Sequence, residues 1–372
     1  ISLPSIPGVG LYGKHPRRGV FYRRAVALCR HHLNMISSSQ RDRMRALVYT
    51  AVRVVEMQER ERPKPLAGEA VVTVEAAGIC GSDMSGFLGH SRRRLPPLVL
   101  GHELVGRLAD GRRVVANPLV SCRRCSACLG GALNLCSTWR LLGMDQTAGC
   151  FAEFVSVPTE QIYEIPEEMP TVRAVLVEPL ANVVHLLRLA TPQPFFRMGI
   201  VGAGTMGALA LLTAHRIGVR EVLVQDVNDE RLAAMRDMGA TLAVNVSTAE
   251  GRDEARRFAG AGLDLVLDAN GSSPARQAAF DLCRPGGQVV LLGMAEEKSE
   301  IDFVSSIRKE HRVVMSFAYT PLDFERSLAL LKAAEIDLTP WSAELPLEEG
   351  QRAFDKLTQS PGATLKMILR VS

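Results

Sequence analysis

Four cysteines stand close together in this chain of 372 residues, as Cys122-x2-Cys125-x2-Cys128-x7-Cys136. Short loops of that kind bring four thiolates to one point, and Zn²⁺ takes four sulfurs tetrahedrally at about 2.3 Å. Cysteines three apart are poorly placed for disulfides with each other. The spacing therefore predicts a closed structural zinc site and, with it, a reducing, intracellular compartment. Gly130 and Gly131 give the chain freedom to turn back between the third and fourth ligand. Cys29, Cys150 and Cys283 stand apart and read as small apolar or loop residues without a role.

A second set is dispersed: Cys80 in Ile79-Cys80-Gly81-Ser82-Asp83, His102 and Glu103 in Gly101-His102-Glu103, and Glu178 in Val177-Glu178-Pro179-Leu180-Ala181. All three residue types are competent zinc ligands, and a catalytic zinc takes three protein ligands and keeps one position open. Singly, each is as readily a packed or solvated side chain, so spacing alone leaves this set open.

These groups need elements to position them. The segment Met198-Gly199-Ile200-Val201 reads as a buried strand entering Gly202-Ala203-Gly204-Thr205-Met206-Gly207, and the apolar run from Ala208 to Arg216 continues as a helix. In a G-x-G-x-x-G turn the first glycine permits the tight turn, the second lets a pyrophosphate approach the backbone, and the third lets helix and strand pack closely. The phosphates then sit on the helix N-terminus. A second strand, 221–225, ends in Asp226, 24 residues after Gly202. A carboxylate there accepts bonds from both ribose hydroxyls and repels a 2′-phosphate, which favours NAD over NADP. Further strands are predicted at 242–245, 263–268, 287–292 and 313–316, with helices over 228–238 and 273–283. Alternation of this kind implies a doubly wound parallel sheet.

Composition sets bounds on function. Apolar residues make up 47% and charged residues 23%, ordinary for a globular chain. The net charge of +4 is uneven: residues 1–43 hold eight basic residues and one acid, leaving a mildly acidic body. That distribution gives no support for nucleic-acid binding by the folded part. The uncharged run 198–214 contains four glycines, which suits the strand and turn above better than a membrane span. The basic leader, 1–43, is expected to be disordered, a transit peptide or an over-extended start, with the folded protein beginning near Met44.

From Met44 to its end, the chain resembles the zinc-containing medium-chain dehydrogenases/reductases, the alcohol, polyol and threonine dehydrogenases. The resemblance rests on Gly-Ile-Cys80-Gly-Ser-Asp, Gly101-His-Glu-Leu-Val-Gly106, the four-cysteine loop, Val-Glu178-Pro-Leu-Ala, Gly202-Ala-Gly-Thr-Met-Gly207 and Asp226, in that order along the chain. It implies an α/β protein in which a GroES-like β-rich catalytic domain, 44–180 and 317–372, carries an inserted Rossmann domain, 181–316. Cys80 and His102 would hold a catalytic zinc, with Glu103, Glu178 or a water completing the shell. Asp83 would orient the His102 ring, and Ser82 would hydrogen-bond the substrate oxygen and carry its proton. Ala203, Gly204, Thr205, Met206 and Gly207 would line the pyrophosphate turn, Asp226 the ribose, and Gly293 the cofactor groove. Arg231 would stand near the adenosine ribose or be a solvated helix arginine.

The resemblance also implies a cytoplasmic enzyme with two zinc ions per chain that moves a hydride between NAD and a small secondary alcohol or ketone. The basic leader leaves import into an organelle as an alternative. Zinc coordination makes an alcohol easier to deprotonate, as it does water. Relatives imply a homodimer or homotetramer joined through the edge of the Rossmann sheet. Threonine-type oxidation and aldehyde reduction are the alternatives within the family; a non-catalytic zinc- and nucleotide-binding protein is the alternative outside it. A zinc-free quinone-reductase type is disfavoured by the presence of Cys80, His102, Glu103 and Glu178. Three departures stand out. Ser85 occupies the place where many relatives have a relay histidine, so the proton would leave through the cofactor ribose and water, while His90 reads first as a loop histidine without a role and second as a substitute relay. The stretch from Gly106 to Val114 is short, which predicts a trimmed surface hairpin. Cys150 replaces a small residue. The run Arg92-Arg93-Arg94 reads first as a solvated loop and second as a site for an anionic substrate.

Overall fold

The computed structural model describes residues 42–193 and 195–371. Nearly all of the basic leader, Cys29 included, lies outside the described residues. Residues 42–44 and Arg60–Arg62 belong to one small unit, in which the Arg62 N–H donates to the Asp42 carbonyl at 2.8 Å. All other described residues form a second, large unit.

The centre of the β-rich part is the strand Glu69–Ile79, half-buried at its start and buried throughout its last four residues. Its second half pairs antiparallel with Glu103–Arg107, and its first half with Phe154–Pro158. Its other edge takes the C-terminal strand Lys366–Arg370, with Met367 opposite Ile79 and Ile368 opposite Gly78. Ser342–Pro346 lies parallel to that last strand. Strands of the first half of the chain and its last described strands thus share one sheet. A register shift between Val74 and Ala76 brings Gly78 opposite Glu103, so the strand end that carries Cys80 meets the strand that follows His102. The expected trimmed hairpin is present: Glu103–Arg107 and Arg113–Ala116 pair directly, closed by a turn in which the Leu108 N–H donates to the Arg112 carbonyl.

The parallel sheet has six strands in the order Leu242–Asn245, Glu221–Asp226, Arg197–Val201, Leu263–Asp268, Cys283–Leu291 and Arg312–Met315. Strand order reverses between Arg197–Val201 and Leu263–Asp268, and a doubly wound sheet binds its ligand at that crevice. The uncharged run divides as its glycines require, into the strand Arg197–Val201 and the helix Thr205–Arg216. The helices Asp229–Asp237 and Ala249–Ala259 start at Asn228 and Thr248, whose side chains accept from Arg231 N–H and Gly251 N–H. The fifth strand starts earlier than its apolar run, at Cys283, because the chain pairs once with Leu263 and then bulges over Pro285-Gly286-Gly287 before resuming at Gln288. The sixth is shifted by one residue, to Arg312–Met315.

The 14-residue helix Val177–Ala190 joins the two parts. Its buried face, including Leu180, Val183 and Leu186, belongs to one apolar cluster that also holds Val105 and Val115 from the antiparallel sheet and Met198 and Ile200 from the parallel one. Burial on this scale, at roughly 25 cal/mol per Å², is the main force holding the two sheets in one unit. Among the described residues no helix is long and apolar enough to cross a membrane.

Candidate active site

Strand Glu69–Ile79 delivers Cys80 to the start of the short helix Gly81–Phe87. Asp83, in the first turn of that helix, folds back to accept the Cys80 N–H at 3.1 Å. Its other oxygen accepts the Gly101 N–H at 3.4 Å and lies 3.5 Å from His102 Nδ1. Asp83 therefore faces Nδ1 and leaves Nε2 of the imidazole for a ligand, the usual arrangement behind a metal-bound histidine. Burial raises the Asp83 pKa, but the charges of His102 and Arg94 and the bonds to it outweigh burial and bring it down to about 2. Burial likewise depresses His102, and Asp83 reverses this and carries it well above the usual value.

One ligand atom each from Cys80, His102 and Glu103 falls within 4.8 Å of the others. Glu103 Oε1 is buried without a hydrogen bond, and His102 Nδ1 has only its long contact to Asp83. A thiolate, an imidazole and a carboxylate that converge, with one carboxylate oxygen unspent, suit Zn²⁺ chemically. Glu103 stands against the ammonium of Lys366, which is also buried and donates to the Ile79 carbonyl at 3.1 Å. Gly78 clears space for this pair: a Cβ there would lie 2.1 Å from Glu103 Oε2 and 2.7 Å from Lys366 Cε. Burial raises the Glu103 pKa, Lys366 opposes that, and the nearby Glu178 adds to it.

Glu178 is in the first turn of Val177–Ala190 but is not one of the three convergent ligands. Its Oε1 accepts the Tyr319 hydroxyl at 2.9 Å and Asn182 Nδ2 at 3.4 Å. Burial, then Glu178, pushes the Tyr319 hydroxyl well above its usual pKa. Ser82 is half-buried one turn before Ser85, while His90 is exposed. Cys150, for which the sequence suggests no role, is fully buried beside Gly101, whose carbonyl accepts its N–H at 3.0 Å. Its thiol is pushed well up by burial first, then by Asp83 and Glu103.

The four-cysteine loop converges as its spacing predicts, with one sulfur from each of Cys122, Cys125, Cys128 and Cys136 within 4.8 Å of the rest. Backbone N–H groups already aim at the sulfurs: Cys122 N–H donates to Cys136 Sγ at 3.2 Å and Cys125 N–H to Cys122 Sγ at 3.4 Å. Such bonds bring the Cys122 thiol down to about 6, whereas burial pushes Cys128 up to about 11. Four acceptor-only thiolates at one point repel each other, and a divalent cation removes that repulsion. The donor set fits zinc.

The glycine turn meets its three requirements. Gly202 has φ +112°, a Cβ on Gly207 would lie 2.0 Å from the Gly202 carbonyl oxygen, and the Cβ position of Gly204 points into open space. A pyrophosphate needs that last vacancy. Asp226 Oδ2 accepts the Ala203 N–H at 2.6 Å, and Oδ1 accepts the N–H groups of Val227 and Asn228. A cavity of about 630 Å³ opens beside it, lined among others by Gly202, Asp226, Val227, Asn270 and Ala275. Thr205 Oγ1 is turned to the Leu365 carbonyl, and Met206 is half-buried. Arg231 does not line the cavity; its Nη2 donates to the Thr364 carbonyl at 3.3 Å, and burial lowers its pKa despite Asp226. Gly293 packs on the loop after strand Leu263–Asp268, where a Cβ would lie 2.2 Å from Asn270 and Gly271 backbone atoms.

Three residues escape a reading of the sequence. Lys366 has a usable signal, a lone lysine that opens the apolar strand Lys366–Arg370. Tyr319 has none. Arg94 is hidden in a charge run that reads first as solvated; the structure corrects this, since Arg94 is buried while its neighbour Arg93 stacks 3.8 Å from the Trp139 ring and pairs with Asp145. Solvation fails for Arg94 because the half-buried Ser82 and the buried Asp83 receive it.

Comparison with known proteins identifies the family. Residues 66–167 match the model of the alcohol dehydrogenase GroES-like domain and residues 205–333 that of the zinc-binding dehydrogenase domain. An L-threonine 3-dehydrogenase of Stenotrophomonas maltophilia is 30% identical, over 88% of this chain and 99% of the relative. A D-xylulose reductase A of Aspergillus oryzae is 27% identical, over 85% and 94%. Among solved structures, an Escherichia coli CFT073 alcohol dehydrogenase complexed with NADH superposes with a TM-score of 0.81 at 27% identity, over 89% of this chain and 100% of the other. A Sinorhizobium meliloti zinc-binding dehydrogenase bound to NADP gives 0.81 at 28%, over 88% and 99%. The chain belongs to the zinc-containing medium-chain dehydrogenase/reductase family and is an oxidoreductase of the zinc-dependent alcohol and polyol type.

Proposed function

We propose that the protein transfers a hydride between NAD and a secondary alcohol or ketone, such as a polyol, a sugar derivative or a hydroxy amino acid, using one catalytic and one structural zinc per chain. The observation that carries this reading is the convergence of Cys80, His102 and Glu103 beside Ser82 and Asp83. When bound, zinc supplies a Lewis acid that polarises the substrate oxygen, and the nicotinamide supplies the hydride acceptor or donor. Cys80 and His102 hold the metal, with Glu103 or Glu178 able to complete its shell. Asp83 fixes the His102 ring. Ser82 takes the substrate hydroxyl proton and releases its own towards solvent. Cys122, Cys125, Cys128 and Cys136 hold the second ion, which calls for a reducing, cytoplasmic setting.

Gly202 to Gly207 hold the pyrophosphate, Asp226 the adenosine ribose, and Gly293 shapes the groove beyond it. The fold supports either nicotinamide coenzyme; the carboxylate of Asp226 at the ribose favours NAD. We place the division between catalytic and nucleotide-binding parts near residues 180 and 316. Exposed Val313 and Met315 on the outer strand of the parallel sheet, with exposed Phe303 and Ile307 on the helix Phe303–Arg308 before it, offer the face on which a second copy would pair.

Metal analysis of the purified protein, with a screen of secondary alcohols, polyols and threonine against NAD and NADP, tests the reading. Two zinc ions per chain and NAD reduction by at least one such alcohol are expected. One zinc and no turnover with any of them contradicts it.

A further inference from the structure

Of the three consecutive arginines only the last turns inward: the side chains of Arg92 and Arg94 are 85% and 3% exposed. The fold makes room for it. Gly86, on the helix Gly81–Phe87, faces the Arg94 stem, and a Cβ on Gly86 would lie 2.9 Å from both Cβ and Cδ of that side chain. Ser91 Oγ accepts the Arg94 N–H at 3.2 Å and fixes the turn that sends the side chain in. Nη2 then donates to Ser82 Oγ at 3.0 Å. Nε lies 3.6 Å from Asp83 Oδ1 and has no hydrogen-bond partner. A guanidinium is expensive to bury unless it is paired, and the groups it meets here are Ser82 and Asp83.

We infer that Arg94 is a positioning residue for the Ser82 hydroxyl, holding it as a two-way proton carrier; the inference rests on the proposed role of Ser82. A serine hydroxyl has one hydrogen and two lone pairs, and a guanidinium only donates. With one lone pair held by Arg94, the Ser82 hydrogen cannot point that way. It has two positions left, towards the substrate oxygen or towards the exit. In alcohol oxidation the substrate hydroxyl proton passes to the free lone pair of Ser82 as the Ser82 hydrogen passes to a water. In ketone reduction both transfers reverse. The fixed cation 3.0 Å away also favours the charge that the serine oxygen shares while the two protons change places.

A double-mutant cycle on the zinc-loaded full chain tests this, with Arg94→Met, Ser82→Ala and the pair assayed for oxidation of a secondary alcohol by NAD. Arg94→Met is expected to lower kcat about ten- to a hundredfold, with KM and zinc content nearly unchanged. In the Ser82→Ala background the same change is expected to cost less than about twofold. Losses that multiply, or an Arg94→Met variant with unchanged kcat, overturn the inference. If Ser82→Ala alone keeps wild-type kcat, the role of Ser82 falls and the inference with it; if Ser82→Ala is impaired and the losses multiply, only the inference falls. Independently of turnover, urea unfolding of the metal-free protein reads the contact itself. The combined loss in the folding constant is expected to be about fivefold or more smaller than the product of the single losses, and a simple product there counts against the bond. Should Arg94→Met not fold, Arg94→Lys, which keeps the charge but not the fork, enters the same cycle with the same outcomes.

Discussion

Lys366, on the last strand of the chain, forms an ion pair with Glu103 in which both side chains are 1% exposed. The pair lies under Gly78 and next to the ligand atoms of Cys80 and His102. Two charges so far from water are held by each other, and removing one leaves the other uncompensated. Such a loss typically costs about 3–5 kcal/mol.

Lys366→Met should therefore destabilise the metal-free protein by about that much, and adding Glu103→Gln should recover most of the loss. In the zinc-loaded protein the penalty should shrink, because a divalent cation beside Glu103 offsets the missing ammonium. Urea unfolding of both forms measures the difference. Equal losses with and without metal would show that Glu103 does not face the ion.

The two cysteine sets should be separable. Cys80→Ser is expected to abolish turnover and remove one zinc while leaving NADH binding, followed by nicotinamide fluorescence, largely intact. Cys122→Ser is expected to remove the other zinc and to lower stability first. A loop closed by a metal loses its main tie with it, and here exposed Leu129 and Leu135 add little apolar burial in its place. Unchanged activity in Cys80→Ser would defeat the catalytic assignment.

How far the sequence can be read depends on how local each signal is. The parallel sheet and its glycine turn are legible because each strand and helix is a continuous run whose period can be followed, and Gly202, Gly204 and Gly207 each answer one steric demand. The structural site is legible because Cys122 to Cys136 are brought together by one short loop. Cys80, His102 and Glu178 come from three distant segments, and only their order along a familiar pattern joins them. Arg94 and Lys366 stay hidden for a physical reason. A buried charge is recognised by its partner, and the partners, Ser82 with Asp83 and Glu103, lie in other elements.

Cofactor choice should rest on Asp226. Replacing it by glycine removes the carboxylate that repels a 2′-phosphate, so the ratio of kcat/KM for NAD over NADP should fall, by about tenfold or more for a lost charge–charge repulsion in a half-buried cavity. Because Asp226 also accepts the Ala203 N–H, the affinity for NAD itself should weaken in the same variant. Steady-state kinetics with both coenzymes decide this. An unchanged ratio means that other cavity-lining groups, such as Arg252 and Arg256, set the preference.

Acid stability should depend on Asp323. Its carboxylate accepts from Arg188 Nε at 2.9 Å and Thr320 Oγ1 at 2.7 Å, and lies 2.7 Å from His185 Nδ1. His185 Nε2 in turn lies 3.4 Å from Asn134 of the cysteine loop. This cluster ties that loop to the helix that carries Glu178. Burial alone would raise the Asp323 pKa, but the bonds from His185, Arg188 and Thr320 outweigh it and hold the carboxyl well below the usual range. A depressed native pKa contributes stability that is complete above the unfolded value, about 4, and is lost as pH falls from there towards the native value. Asp323→Asn should thus be less stable than wild type by roughly 2–3 kcal/mol at neutral pH. The gap should close by up to about 1.4 kcal/mol per pH unit below pH ~4. Urea unfolding of both proteins at neutral pH, and at the lowest pH where each still unfolds cooperatively, measures it. A gap that stays constant on acidification would mean that Asp323 acts through its shape and not through its charge.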